Sequence, residues 1–141
     1  MSDEAVFALA SSAPLVGWAA LLLAPLARSR VVVFARVVAV ALAVGYLVLV
    51  GVALARPAGP MPDFTTLAGL AAAFSDPRVT LIGWFHFLAL DLWAGAWEAE
   101  DAGTSGVPHA ALVPSLLLTL LAGPAGLLLY LLLRSATRSR R

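Results

Sequence analysis

Gly83-Trp84-Phe85-His86-Phe87-Leu88-Ala89-Leu90-Asp91-Leu92-Trp93-Ala94-Gly95-Ala96-Trp97-Glu98 has the apolar mass of a membrane span, yet it carries a histidine and two acids. A carboxylate near the middle of a bilayer costs roughly 2.5–3.5 kcal/mol on insertion scales, so such a residue normally faces a bundle interior and marks a site or a polar packing cluster. The segment decides two questions together. The chain is embedded in a membrane, and its chemistry concentrates on this helix.

Composition agrees with that reading. Apolar residues make up 62% of the 141 and charged residues only 12%, which a water-soluble domain of this size does not tolerate on its surface. The formal charge of +1 implies no nucleic-acid partner. The absence of cysteine excludes disulfides, thiolate metal sites and cysteine nucleophiles. The first apolar run opens with Asp3 and Glu4 instead of a basic segment and continues to Ala27, so it reads as a retained span and not a signal peptide.

The charges divide the rest. Outward from the quoted helix, which spans 79–97, uncharged runs cover 5–27, 37–55 and 110–133. Each is long enough to cross a core of about 30 Å at about 1.5 Å per residue. The expected architecture is all-α: a single membrane domain over 1–141, built as a four-helix bundle. Pro57, Pro60 and Pro62 break the second helix, and Asp63 is then placed to cap a short interfacial helix over 64–74. Four crossings put both termini on one side. Counting Arg56, Arg78 and the tail arginines against Arg28, Arg30 and Arg36 gives six against three for a cytoplasmic location of both. The expected compartment is a cell inner membrane. Arg134, Arg138, Arg140 and Arg141 form a tail suited to anionic lipid head groups. Ala35, Ala39 and Ala43, with Ala41 and Gly45 beside them, supply the small residues that let helices approach closely.

On the third span, Asp91, Gly95 and Glu98 fall at i, i+4 and i+7 and share a face with Trp84 and Leu88. His86 lies round the helix, on the stripe of Trp93 and Trp97. Asp91, the deepest charge, reads either as a proton donor or acceptor weakened by burial, or as a carboxyl that glues helices. His86 reads as a general base or as a packed residue with one hydrogen bond. Trp84 and Trp93 offer an aromatic wall to a flat or polyene ligand. Glu98, Glu100, Asp101 and His109 crowd the end of the span. Their spacing matches no metal-ligand motif, so no metal is assigned and solvation is the default reading. In the fourth span, Pro124 within Gly123-Pro124-Ala125-Gly126 removes a backbone hydrogen bond and leaves the carbonyl of Leu120 short of a partner, and a protonated Asp91 is a candidate to supply it.

The motif Gly83–Gly95 resembles the tryptophan–histidine–Asp-Leu signature of the abscisic-acid-deficient-four-like family of small membrane proteins. Gly123–Tyr130 is similar to that family's closing Gly-Pro-x-Gly run, Trp18–Pro25 looks like its first span, and Phe74–Pro77 fits its lead into the third. A plant plastid member is required for making the allenic carotenoid neoxanthin. The resemblance implies chemistry on an epoxy-carotenoid or related isoprenoid: isomerisation of an epoxide to an allene and a tertiary alcohol, which needs no redox cofactor. Asp91 would be its acid and His86 its base, with Trp84, Trp93, Gly95 and Pro124 lining the substrate. A non-enzymatic polyene- or lipid-binding role, or an accessory membrane subunit, is the alternative. Many members carry a basic residue where this chain has Ala96, which weakens any acid–base pair built on Glu98. The lysine-free, alanine- and arginine-rich composition points to a bacterium with a GC-rich genome.

Overall fold

The structure, a computed structural model, describes residues 2–57, 59 and 61–139. They form five helices: α1 (Asp3–Leu22), α2 (Ala24–Ala55), α3 (Leu67–Ala73), α4 (Pro77–Ser105) and α5 (His109–Arg138). By length and composition, all but α3 are candidate membrane spans. The all-α class and the short helix between the second and third spans are as expected. α2, α4 and α5 are longer than their uncharged runs, because arginines and acids at their ends remain helical, whereas α1 stops at Leu22, before its run ends.

Local chemistry sets the boundaries. The Ser2 hydroxyl accepts from the Ala5 amide to open α1, and Asp3 and Glu4 occupy its first turn, where the helix dipole favours anions. Asp76 accepts from the Arg78 amide at 2.7 Å to open α4, with Pro77 in the first turn. Gly106, at φ 78°, ends it in the left-handed conformation that a side chain would resist. α3 starts later than Asp63 predicts. Thr66 caps it through the Gly69 amide, while the Asp63 carboxylate takes the Thr65 amide and the hydroxyls of Thr65 and Thr66.

α4 is the central element, against which α1, α2 and α5 all pack. α1 runs parallel to it. Asp3 approaches Arg78, the Trp84 indole donates to Ser11, Gly17 faces Leu92, and Trp18 covers Gly95. α2 runs antiparallel, with Gly45 under Phe85, Arg36 beside Trp93 and Glu100, and Arg28 bonded to the Ala99 carbonyl at 2.7 Å. Of the small residues on α2, Ala35 and Ala39 are buried in the core with Leu92, Ala96 and Ala99, whereas Ala41 and Ala43 face outward. The bundle therefore has a first end, holding Asp3, Ala55, α3 and Pro77. Its second end holds Leu22, Arg28 and Ser105.

α5 does not continue this pattern. Its backbone leaves the helix at Ala122 (φ −154°, ψ 58°) and the chain doubles back. Gly126 lies directly against the backbone of Thr119, seven residues earlier, which no continuous helix permits. Ala111 and Ala136 line one cavity of about 400 Å³, although a straight helix would hold them about 38 Å apart. Tyr130 and Arg134 return to Asp101 and Ser105, beside the point where α5 begins. α5 is thus a hairpin of two arms, 109–121 and 123–138, about 20 and 24 Å long, each short of the roughly 30 Å hydrocarbon core.

Two expectations change with it. Pro124 does not interrupt a helix. The break falls at Ala122, and Pro124 occupies the first turn of the returning arm, where an amide lacks a helical partner in any case. The start of α1 and the end of α5 also lie at opposite ends of the bundle. The expectation of both termini on one side rested on α5 crossing completely.

Candidate functional site

Asp91 meets the hairpin at its tip. Its carboxylate lies against Gly123, and a Cβ at that glycine would overlap it. From this level to Ser105, α4 is covered by α5 through a series of polar contacts. Below it, towards the first end, the same side of α4 is bare. Phe87, Leu90 and Trp84 are exposed there, within two turns of Asp91. The hairpin's limited reach leaves a half-height notch on the lipid-facing side of the bundle, with a half-buried carboxylate at its upper edge.

The other candidate residues distribute around this notch unequally. Trp84 is fixed at its lower edge by the Ser11 hydroxyl (3.0 Å) and the Phe7 ring. Pro124 is exposed at the hairpin tip. Gly95 is closed by the Trp18 indole, where an added Cβ would come to about 2.5 Å of the ring. His86 and Trp93 sit on the flank towards α2. The imidazole packs between Tyr46 (5.7 Å between centroids) and Phe87 (6.0 Å), and the Arg36 guanidinium lies over the Trp93 ring at 5.2 Å. Asp91 and His86 are about 140° apart around the helix axis, with Phe87 exposed beside them.

Above Asp91 lies a polar seam that the sequence reading assigned to solvent. Glu98 is fully buried, and its Oε1 accepts from the Thr119 hydroxyl at 2.8 Å. Oε2 of Glu98 and the buried Ser115 hydroxyl have no hydrogen-bond partner within the described chain. One turn on, Asp101 receives two bonds from Arg134 (2.6 and 2.8 Å) and one from the Tyr130 hydroxyl (2.5 Å). Arg134 is thereby turned inward from the basic tail, and Arg138 is exposed, while Arg140 and Arg141 fall outside the described residues. Glu100 pairs with Arg36 at 2.6 Å, and His109 bonds the Leu22 carbonyl at 3.0 Å. All four polar residues at the end of α4 and the start of α5 thus have structural partners. Among the described residues, no three histidines or acids converge as a metal site would require.

The seam had sequence signals of its own. Ser115 and Thr119 are four apart in an apolar run, as are Tyr130 and Arg134, and Glu98 shares a face with Asp91. Their significance depends on the hairpin, which brings both arms to one side of α4.

Compared with known proteins, residues 5–130 match the family model described as ABA4-like, ABA DEFICIENT 4-like. No curated protein and no solved structure matches the chain.

Proposed function

The chain belongs to the ABA4-like family of membrane proteins over residues 5–130, and on that premise we propose that it holds a carotenoid or related isoprenoid against α4 and isomerises its epoxide. The observation that carries this reading is the notch: a carboxylate at the hairpin tip, above an apolar aromatic surface open to lipid. A long polyene needs lipid access along its length and one polar group at its functional end. Trp84 and Phe87 supply the first, and Asp91 the second.

In this mechanism Asp91, as the neutral acid, protonates the epoxide oxygen as the C–O bond opens, and that oxygen becomes the tertiary hydroxyl. His86, on the adjoining flank, takes the proton lost from the polyene carbon as the allene forms. The substrate lies across Phe87 between the two groups. One proton is given and one removed, so no redox partner enters. Trp93 borders the His86 side of the same surface, and Pro124 borders the tip.

The second reading, binding without chemistry, draws on the separation of Asp91 and His86 around the helix. The experiment is extraction in mild detergent, with absorption and mass spectra of the bound material, for wild type, Asp91→Asn and Trp84→Ala. Retained ligand with loss of product in Asp91→Asn supports catalysis. Unchanged product assigns a binding role, and a protein carrying only bulk phospholipid removes the isoprenoid reading.

We assign the second end of the bundle to the cytoplasmic face of a bacterial inner membrane. Arg28, Arg30, Arg36, Arg134 and Arg138 gather there, against Arg56 and Arg78 at the first end. Exposed Arg138 then faces the anionic leaflet, as the proposed lipid contact of the tail requires.

A further inference from the structure

An open cavity of about 700 Å³ lies at the second end, where the chain passes from α1 into α2. Its lining includes Leu26, Arg28, Ser29, Arg30, Val33 and Glu100. Its chemistry is divided. Arg28, Ser29 and Arg30 present two guanidinium groups and a hydroxyl. Leu26 and Val33, both strongly exposed, continue the wall onto the lipid-facing side of α2.

The charge in this cavity is not consumed internally. Glu100 is the only acid in the lining, and both its oxygens are taken by Arg36. Arg28 gives one nitrogen to the Ala99 carbonyl, which holds the group in place without neutralising it. Among the described residues, neither Arg28 nor Arg30 has a carboxylate within ion-pairing distance. The level is also informative: Arg28 meets α4 at Ala99 and Gly103, at the end of the apolar part of that helix.

We propose that this cavity seats the phosphate of an anionic phospholipid, with Arg28, Ser29 and Arg30 on the headgroup and an acyl chain along Leu26 and Val33. Guanidinium groups match phosphate oxygens in geometry and charge. A phospholipid is the phosphate-bearing amphiphile that the bilayer itself delivers at this depth. The site is remote from Asp91 and independent of what is bound there.

The test is native mass spectrometry of the protein in zwitterionic detergent, titrated with phosphatidylglycerol or phosphatidylcholine. Phosphatidylglycerol is expected to bind with clear preference. Arg30→Gln lowers its affinity about fivefold, as expected for one basic residue at an anionic surface. Arg28→Gln lowers it at least as much, and Arg56→Gln, at the first end of the bundle, leaves it unchanged. Because Arg28 also supports the α4 backbone, Arg30→Gln carries the decision. Equal retention of both lipids, or equal loss in Arg56→Gln and Arg30→Gln, overturns the proposal. Displacement of the lipid by millimolar inorganic phosphate, or much tighter binding of a prenyl phosphate, reassigns the cavity and overturns it too.

Discussion

The carboxylate of Asp91 rests on Gly123, the first residue of the returning arm of α5. The mid-span carboxylate of α4 and the tip of the hairpin are therefore one structural feature. Gly123→Ala forces a methyl group into the carboxylate and is expected to lower stability by about 1–3 kcal/mol, the usual cost of overpacking. Adding Asp91→Ala recovers most of that loss. Thermal unfolding in detergent measures both, and purely additive effects would disprove the contact.

Cross-linking tests the hairpin directly. The chain has no cysteine, so Ala111→Cys together with Ala136→Cys introduces the only pair. A short bis-maleimide is expected to join the two within one molecule, because both residues line a single cavity. A continuous helix would separate them by about 38 Å and give no intramolecular product.

Gly126→Leu should be more damaging than Gly123→Ala. Its side chain would meet the backbone of Thr119, which cannot rotate away as the end of a flexible side chain can. Loss of the folded-protein peak in size-exclusion chromatography is expected. A normally folded Gly126→Leu protein would show that the arms are not closely packed.

Asp101 and Arg134 form a pair whose side chains are only 14% and 26% exposed. Removing one partner leaves the other poorly solvated, so Arg134→Leu is expected to cost roughly 2–4 kcal/mol, near the range for broken buried pairs. Asp101→Leu with Arg134→Leu should cost less than either single change. A double variant showing the sum of both losses would argue that the pair contributes nothing as a pair.

At the first end, the hydroxyl of Thr65, then its amide, then the hydroxyl of Thr66 hold the Asp63 carboxyl below its ordinary range. A depressed folded pKa stabilises fully above the ordinary carboxylate value and loses that contribution as pH falls through the lowered one. Amide signals of Thr65 should therefore shift with Asp63 on acidification by nuclear magnetic resonance. The same titration in Asp63→Ala should be flat, and a response that persists there would have another origin.

Legibility differed by element. The apolar runs and the three-proline break made α1, α2, α4 and the interval before α3 readable, because span length and helix breaking are local properties. The hairpin was not readable in the same way. The run 110–133 has the length and composition of a crossing, and its turn is set by packing of Gly123 and Gly126 against Asp91 and Thr119. Pro124 signalled a disturbance without indicating that the chain reverses. Asp91, Trp84 and Pro124 were visible as candidates, and the structure places them around one notch. Gly95 lies under Trp18, while His86 and Trp93 occupy the adjoining flank. Glu98 misled because a charge near a helix end is ordinarily hydrated. Here α4 continues to Ser105, and the seam partners arrive from a segment synthesised later.

That order of synthesis gives the hairpin a role in biogenesis. When α4 leaves the ribosome, Thr119, Tyr130 and Arg134, which hold Glu98 and Asp101 in the folded bundle, have not yet been made. A chain made only as far as α4 therefore presents both acids without these partners. Addition of α5 turns a helix with two unpartnered acids into the best-buried of the four long helices.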